Sequence, residues 1–128
     1  MTVQFGPNEE DFSIIKSIAE SDMDRPVLML NLNRYFESVS FPDGKRYKSY
    51  MDVLPKLLES LGAKILWQVP SYGQPLGGEK LHEIIAIWYP SHEAFLSLRK
   101  MPLSEENFKL RAMCVEHAVL HRCPGDLF

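Results

Sequence analysis

The chain has 128 residues, of which 45% are hydrophobic and 24% charged, as expected for one soluble globular domain. A formal charge of -3 and the absence of a basic run argue against nucleic-acid or anionic-membrane partners. No apolar run is long enough to span a bilayer, and residues 1–20 lack the apolar core of a signal peptide, so we expect a cytoplasmic protein. Cys114 and Cys123 lack C-x-x-C spacing and are predicted to be reduced packing residues.

The first predicted elements are a short helix and a strand. Asn8 precedes three acidic residues and is a candidate N-cap for an amphipathic helix over residues 9–20. A strand then begins at Pro26 and runs to about residue 34. Leucines alternate along it with less apolar residues, which predicts one face made of Leu28, Leu30 and Leu32 and another made of Met29, Asn31 and Asn33.

The strongest periodic pattern in the chain predicts a helix over residues 45–61. Apolar residues recur there at steps of three and four, and Gly62 provides the stop. Pro55 lies inside this pattern, removes a backbone donor and clashes with the preceding turn, so we expect a kink or a break near Val53.

The second half of the chain predicts two strands, two helices and a closing strand. The strands cover residues 63–69 and 83–89, joined by a turn-rich hairpin loop. On the first of them Ala63, Ile65, Trp67 and Val69 are expected to share a face. Ser91 and Ser104 are predicted to cap the two helices, and residues 117–123 form the last strand.

This order of elements predicts an α+β fold, the ferredoxin-like split β-α-β arrangement with a four-stranded antiparallel sheet and helices on one face. We expect a single domain over residues 1–128, comprising a helix and linker (1–25), a core (26–123) and a tail (124–128). The helices are expected to cover the leucine face. The Met29, Asn31 and Asn33 face carries too little charge for a solvated sheet, which predicts that a second copy covers it in a homodimer.

Several short segments together resemble a known bacterial family. They are Met29-Leu30-Asn31-Leu32-x-Arg34-Tyr35, Tyr47-x-x-Tyr50, Trp67, Tyr89-Pro90-Ser91-x-x-Ala94-Phe95 and Arg111-Ala112. The chain is similar in these to the domain-of-unknown-function family numbered thirteen-thirty, of the dimeric α+β barrel superfamily. The resemblance implies a ferredoxin-like protomer that dimerises into a barrel and holds ligands between helices and sheet. It implies no established reaction, although the superfamily includes cofactor-free monooxygenases, lactone isomerases, polyketide cyclases and haem-degrading enzymes.

The candidate catalytic residues are Asn31, Arg34 and Tyr50. An amide and a guanidinium near a strand end can polarise a carbonyl or carboxylate, and a tyrosine hydroxyl can donate a proton. The alternative is that Asn31 makes a buried dimer contact and Arg34 a surface ion pair. A second group is predicted to bind a planar ligand, with ordinary core packing or a solvated helix arginine as the alternative: Tyr47, Trp67, Trp88, Tyr89 and Arg111.

We predict neither a metal nor a cofactor. His117 and His121 share a face of the last strand but lie about 13 Å apart at about 3.3 Å per residue, too far for one ion. The haem-degrading members of the superfamily use a histidine on the last helix, where this chain reads Leu110-Arg111-Ala112.

Two functions are consistent with the sequence. One is a cofactor-independent enzyme, of monooxygenase, isomerase or cyclase type, acting on a small carbonyl-bearing or aromatic metabolite. The other is a non-catalytic homodimer with a structural or ligand-binding role, in which the same residues fix the interface.

Overall fold

The computed structural model describes residues 7–127, so the ends of the predicted 1–128 domain lie outside the described residues. Eight helices and strands follow one another: α1 Glu9–Ala19, β1 Val27–Tyr35, α2 Lys45–Ser60, β2 Lys64–Pro70, β3 Glu83–Tyr89, α3 His92–Leu96, α4 Ser104–Cys114 and β4 Val115–Pro124. Short 3₁₀ turns occupy Glu37–Val39 and Ser97–Lys100. Within this part of the chain, no helix has the length and apolar character needed to cross a membrane.

The four strands form one antiparallel sheet in the order β2-β3-β1-β4. The central strand β1 pairs on one side with β3, where Met29 lies opposite Ile87, and on the other with β4, where Met29 lies opposite Arg122. The helices lie on one face of the sheet. The predicted split β-α-β arrangement is therefore confirmed.

The face of β1 that meets the helices is the opposite of the predicted one. Val27, Met29 and Tyr35 belong to the buried core cluster with the apolar residues of α2, and Asn33 on the same face is 2% exposed. Leu28, Leu30 and Leu32 lie on the other face. Alternation separates the two faces of a strand without identifying the one under the helices, and here the helices cover the face on which Asn31 is half-buried and Asn33 is buried.

The face assignment of β2 changes within the strand. A β-bulge between Ile65 and Trp67 places two β2 residues opposite one β3 residue. Ile65 therefore packs against the helix-side core, whereas Trp67 lies opposite Ala86 on the uncovered face and Gln68 lies opposite Ile85 on the helix face. The predicted common face of Ile65, Trp67 and Val69 is wrong, because the extra residue shifts the alternation by one.

Helix α2 runs without interruption from Lys45 to Ser60, so the break predicted at Val53 does not occur. Its buried stripe of Tyr47, Tyr50, Leu54, Leu57 and Leu58 packs on both sides of Pro55, which itself is exposed. Tertiary packing of this stripe outweighs the one missing hydrogen bond. Gly62, at φ +73°, ends the helix as predicted.

The start of α2 is fixed by a close backbone approach. A Cβ atom on Gly44 would lie 1.6 Å from the carbonyl oxygen of Val39, so only glycine fits between the 3₁₀ turn and the helix. This approach places Phe41 against Tyr47 in the first turn of α2, with ring centroids 4.9 Å apart.

The N-terminal helix α1 packs on α3, and Phe12 stacks on Phe95 with ring centroids 6.2 Å apart. Asn8 caps α1 as predicted, accepting from the amide of Asp11. Ser91 caps α3 as predicted, whereas the predicted cap Ser104 is the first residue of α4, whose N-cap position is Leu103. Strand β4 begins at Val115, two residues before the predicted start.

Candidate functional site

A carboxylate lies buried between the sheet and the helices. Glu83 is 3% exposed and accepts hydrogen bonds from three side chains. Its Oε1 accepts from the Tyr35 hydroxyl at 2.5 Å, and its Oε2 accepts from the Tyr47 hydroxyl at 2.6 Å and from Gln68 Nε2 at 2.9 Å. Both oxygens act as acceptors, which is the pattern of an ionised carboxylate.

Four separate elements bring these groups together, and we call Glu83, Tyr35, Tyr47 and Gln68 the Glu83 cluster. Glu83 opens β3, Tyr35 ends β1, Tyr47 lies in the first turn of α2, and the β2 bulge turns Gln68 inward. Gln68 Nε2 also donates to the Tyr47 hydroxyl at 3.0 Å, which closes the hydrogen-bonded network. The cluster therefore depends on the fold and on no single stretch of sequence.

Aromatic rings surround one side of the cluster. Tyr35 packs on Phe41 and Tyr47 with centroid separations of 5.1 and 5.2 Å, and His82 stacks on Tyr35 at 6.1 Å. His82 Nδ1 accepts from the backbone amide of Tyr35 at 3.0 Å. The neutral imidazole consequently carries its hydrogen on Nε2.

Burial keeps the tyrosines of this layer in the phenol form. It raises the pKa of Tyr35 and of Tyr47 well above the ordinary value, and the hydrogen bonds to Glu83 add to the rise. Burial raises the pKa of Tyr50 to about 12, although the nearby Arg111 guanidinium opposes the rise. These hydroxyls can therefore donate hydrogen bonds at neutral pH but cannot act as bases.

The structure brings three of the predicted site residues towards the Glu83 cluster. Tyr47 is part of it, Tyr50 lies one helical turn further along α2, and Arg111 on α4 lies next to Tyr50. Glu83 itself contributes to the raised pKa of Tyr50, which places the two groups within electrostatic reach.

The structure separates the predicted Asn31 and Arg34 pair. Asn31 lies on the helix face, and its Nδ2 donates to its own strand at the Met29 carbonyl, at 3.1 Å. Arg34 lies on the uncovered face, where its Nε donates to Glu116 Oε1 at 2.9 Å. Residues separated by an odd number of positions on a strand point to opposite faces, so one protomer cannot aim both at one ligand.

The remaining predicted aromatic residues also divide between the faces. Trp67 is 47% exposed on the uncovered face, and Trp88 on the same face donates from Nε1 to the Gly125 carbonyl. Tyr89 is buried on the helix face, edge-on to Phe95 at 5.3 Å. The tryptophans therefore do not line the layer that holds Glu83.

Sequence reasoning missed Glu83, Tyr35 and Gln68 as site residues. An acidic residue that opens a strongly apolar strand was one available signal, because such a carboxylate must be paired when buried. Tyr35 ends the strand motif on which the family resemblance rests. Gln68 gave no signal, since only the bulge decides its direction.

The loop between β2 and β3 forms an open cleft beside the cluster. The cleft has a volume of about 480 Å³ and is lined by residues 71–74 and 77–82. His82 is the member that also touches Tyr35, so it connects the cleft to the aromatic rings. Glu79 Oε1 lies 3.6 Å from His117 Nε2, which ties the loop to β4.

Solved structures share this architecture. A protein of unknown function from Rhodopseudomonas palustris is 28% identical, with a TM-score of 0.74, over 95% of this chain and 96% of that one. Its methylated form gives 29% identity and a TM-score of 0.75 over 97% and 96%. A dabb family protein with a ferredoxin-like fold from Mesorhizobium loti is 11% identical, with a TM-score of 0.58 over 77% and 95%.

The fold is therefore ferredoxin-like, an α+β protein with a four-stranded antiparallel sheet. No family model matches the chain, and no curated protein matches it. The particular family numbered thirteen-thirty stays a prediction.

Proposed function

We propose that the protein is a cofactor-independent enzyme that binds a small, neutral, carbonyl-bearing or aromatic metabolite between sheet and helices and moves a proton on it. The observation that carries the proposal is the buried Glu83 carboxylate, held by two tyrosine hydroxyls and an amide. A base beside hydroxyl donors that stay protonated is the arrangement that proton abstraction next to a carbonyl requires.

In this chemistry Glu83 takes a proton from the carbon next to the carbonyl, and the electron pair of that C–H bond moves to the carbonyl oxygen. The Tyr35 and Tyr47 hydroxyls already donate to Glu83, so the Tyr50 hydroxyl is proposed to donate the hydrogen bond to the developing enolate oxygen. The proton then returns from Glu83 to the same or a conjugated carbon, so the reaction is an isomerisation with no net redox change.

The residues predicted from the sequence divide between two places in this proposal. Tyr50 and Asn31 keep their roles as proton donor and polarising amide on the helix face, with Tyr47, Tyr89 and Arg111 around the ligand. Arg34, Trp67 and Trp88 lie on the other face and are proposed to meet the second copy of the chain.

We propose that the side chain of Gln68 controls access of the ligand to Glu83. It lies on the edge strand β2, is exposed as a residue, and reaches Glu83, the Tyr47 hydroxyl and Met51 Sδ, the last at 3.3 Å. Rotation of this side chain would release one of the two donors on Glu83 Oε2, and we propose that the ligand takes its place beside α2 and β2.

Exchange of carbon-bound hydrogen tests the chemistry directly. The probe is 2-tetralone, a neutral, flat and enolisable ketone, in D₂O, with loss of its α-proton signals followed by NMR. The wild type is expected to accelerate exchange over buffer, and Glu83→Gln to reduce the acceleration at least about 100-fold, the usual contribution of a general base. Glu105→Gln, on the exposed first turn of α4, is the matched control and should exchange as the wild type does.

The second candidate function is a dimer without chemistry, favoured by the fact that Glu83 already has a complete set of donors. In that case the cluster has only a structural role, in which its hydrogen bonds hold β1, β2, β3 and α2 in place. Exchange no faster than in buffer, combined with a loss of stability in Glu83→Gln, would support this candidate and contradict the enzyme.

A homodimer is part of both candidates. The uncovered sheet face carries Leu30, Leu32, Ile84, Trp67, Trp88, Val69 and Val119, and its edge members Trp67 and Val69 are 47% and 44% exposed. An apolar face of this kind is unfavourable in water, and the same face of a second copy would cover it about a two-fold axis.

A further inference from the structure

Asn33 has one polar atom that no residue in the described range 7–127 satisfies. The side chain is 2% exposed, and its Nδ2 lies 3.4 Å from the Tyr35 hydroxyl oxygen. That hydroxyl gives its only hydrogen to Glu83, so the nitrogen of Asn33 must be the donor towards it. The carbonyl oxygen Oδ1 therefore points the other way, and it is buried without a hydrogen-bond partner.

A buried acceptor without a donor destabilises the folded protein, and an apolar residue of similar shape would avoid that cost. Asn31, two residues earlier on the same face, differs because it is only half-buried and water can reach it. Asn33 donates to the Tyr35 hydroxyl, and Tyr35 is a member of the Glu83 cluster. Asn33 also lies directly opposite Glu83 in the sheet, so the side chain that carries the unsatisfied oxygen is next to the cluster around which the proposed ligand binds.

Asn107 on α4 has a second oxygen of this kind. No hydrogen bond found among residues 7–127 links it to Glu83, Tyr35 or Asn33, so it is not assigned to the same site.

We infer that the ligand of the Glu83 cluster carries a hydroxyl or amino hydrogen that it donates to Asn33 Oδ1. The inference rests on the proposed function and narrows its substrate class to neutral carbonyl compounds that also bear an O–H or N–H group. The aromatic rings of Tyr35, Phe41 and Tyr47 favour a flat ligand, and the carboxylate disfavours an anionic one.

Two matched probes separate this inference from the proposed function. They are 6-hydroxy-2-tetralone and 6-methoxy-2-tetralone, which share the ring and the ketone and differ in whether the ring oxygen carries a donor hydrogen or a methyl group. Their dissociation constants are measured by NMR titration of the wild type and of Asn33→Leu, which replaces the amide with an apolar side chain of similar size.

The wild type is expected to bind the hydroxy compound at least about tenfold more tightly than the methoxy compound, since the methoxy compound leaves the acceptor unsatisfied. Asn33→Leu should bind the two about equally. The comparison within the wild type stands even if the variant does not fold.

The other outcomes contradict either the role of Asn33 alone or the enzyme proposal as well. Equal affinity of the wild type for the two probes, or a preference that survives in Asn33→Leu, would overturn the role of Asn33 and leave the enzyme proposal standing. Binding of neither probe, with no exchange of 2-tetralone, would overturn both.

Discussion

Glu83 is the residue whose loss should affect the most contacts. Its carboxylate is the acceptor shared by Tyr35, Tyr47 and Gln68, which come from three different elements. Two of these donors are buried hydroxyls, and buried donors without an acceptor are costly. We therefore expect Glu83 to contribute to the free energy of unfolding as part of a buried polar network, which is more than a surface charge contributes.

Glu83→Ala should lower the free energy of unfolding by about 3 kcal/mol, because it leaves two buried hydroxyls without an acceptor. Glu83→Gln should cost less, since the amide keeps one acceptor oxygen. Denaturant unfolding measures both. The control is Glu116→Ala, which removes a surface partner of Arg34 with a 45% exposed side chain and should change stability by less than about 0.5 kcal/mol. If Glu83→Ala and Glu116→Ala lowered the free energy of unfolding equally, the network around Glu83 would not stabilise the fold as expected.

The buried tyrosines should resist ionisation in alkali. Burial raises the pKa of Tyr35, Tyr47 and Tyr89 far above the ordinary tyrosine value of about 10, and that of Tyr50 to about 12. Ultraviolet titration to pH 11 should therefore show less phenolate absorbance than five free tyrosines would give. The folded state holds these protons more tightly than the unfolded chain does. Stability is thus complete below pH 10 and falls as the pH rises above it. Full absorbance at pH 11 in protein that is still folded would contradict this expectation.

At the scale of elements, the short helix α3 depends on a residue far away in the sequence. Asp24, in the linker after α1, accepts from the backbone amides of His92 and Glu93, and its Oδ1 lies 2.9 Å from His92 Nδ1. Ser91 accepts from the amide of Ala94. Between them these two side chains satisfy the first amides of a helix only five residues long, and they fix it beside α1.

Asp24→Asn should lower the free energy of unfolding by about 1–2 kcal/mol, since the amide is a weaker acceptor for these donors.

The same substitution should change the response to acid. Burial alone would raise the pKa of Asp24, but the hydrogen bonds from His92 and Glu93 outweigh it and lower the pKa below 3.8. A depressed carboxyl pKa stabilises the fold above the unfolded value and loses that effect as the pH falls through the folded value. Part of the acid sensitivity below about pH 4 should therefore disappear in the variant. Asp22→Asn, in the exposed part of the same linker, is the control and should have little effect.

At the scale of the whole molecule, the uncovered sheet face should decide the oligomeric state. Leu32→Lys places a charge in the middle of this face, and we expect sedimentation velocity to show one chain where the wild type shows two. Leu120→Lys is the control: it lies on β4 opposite Asn31, on the helix face, and is 41% exposed. A wild type that stays monomeric at high concentration would contradict the dimer, and so would a Leu32→Lys variant that still dimerises.

The sequence by itself determined the order of the elements. Periods of two and of three to four residues depend on local geometry, and turn and capping residues such as Asn8 and Gly62 act within a few positions. For the same reason the strands β1 to β4, the long helix α2 and the ferredoxin-like connection could all be predicted. Tyr47, Tyr50 and Arg111 were predicted as site residues because polar aromatic and basic residues on an inward stripe stand out in a helix; the structure places them near Glu83, and their role in a site stays a prediction.

Only the tertiary structure decided which face of each strand meets the helices and which side chains meet one another. The leucines of β1 alternate with Met29 and two asparagines, and hydrophobicity alone would have placed the leucines, not the asparagines, under the helices. Because of the one extra residue in the β2 bulge, Trp67 lies on the uncovered face and Gln68 on the helix face. No local pattern in the sequence indicates the bulge. The Glu83 cluster joins residues up to 48 positions apart, from Tyr35 to Glu83. Contacts over such distances depend on how the whole sheet and helix layer pack, and short-range periodicity carries no information about that packing.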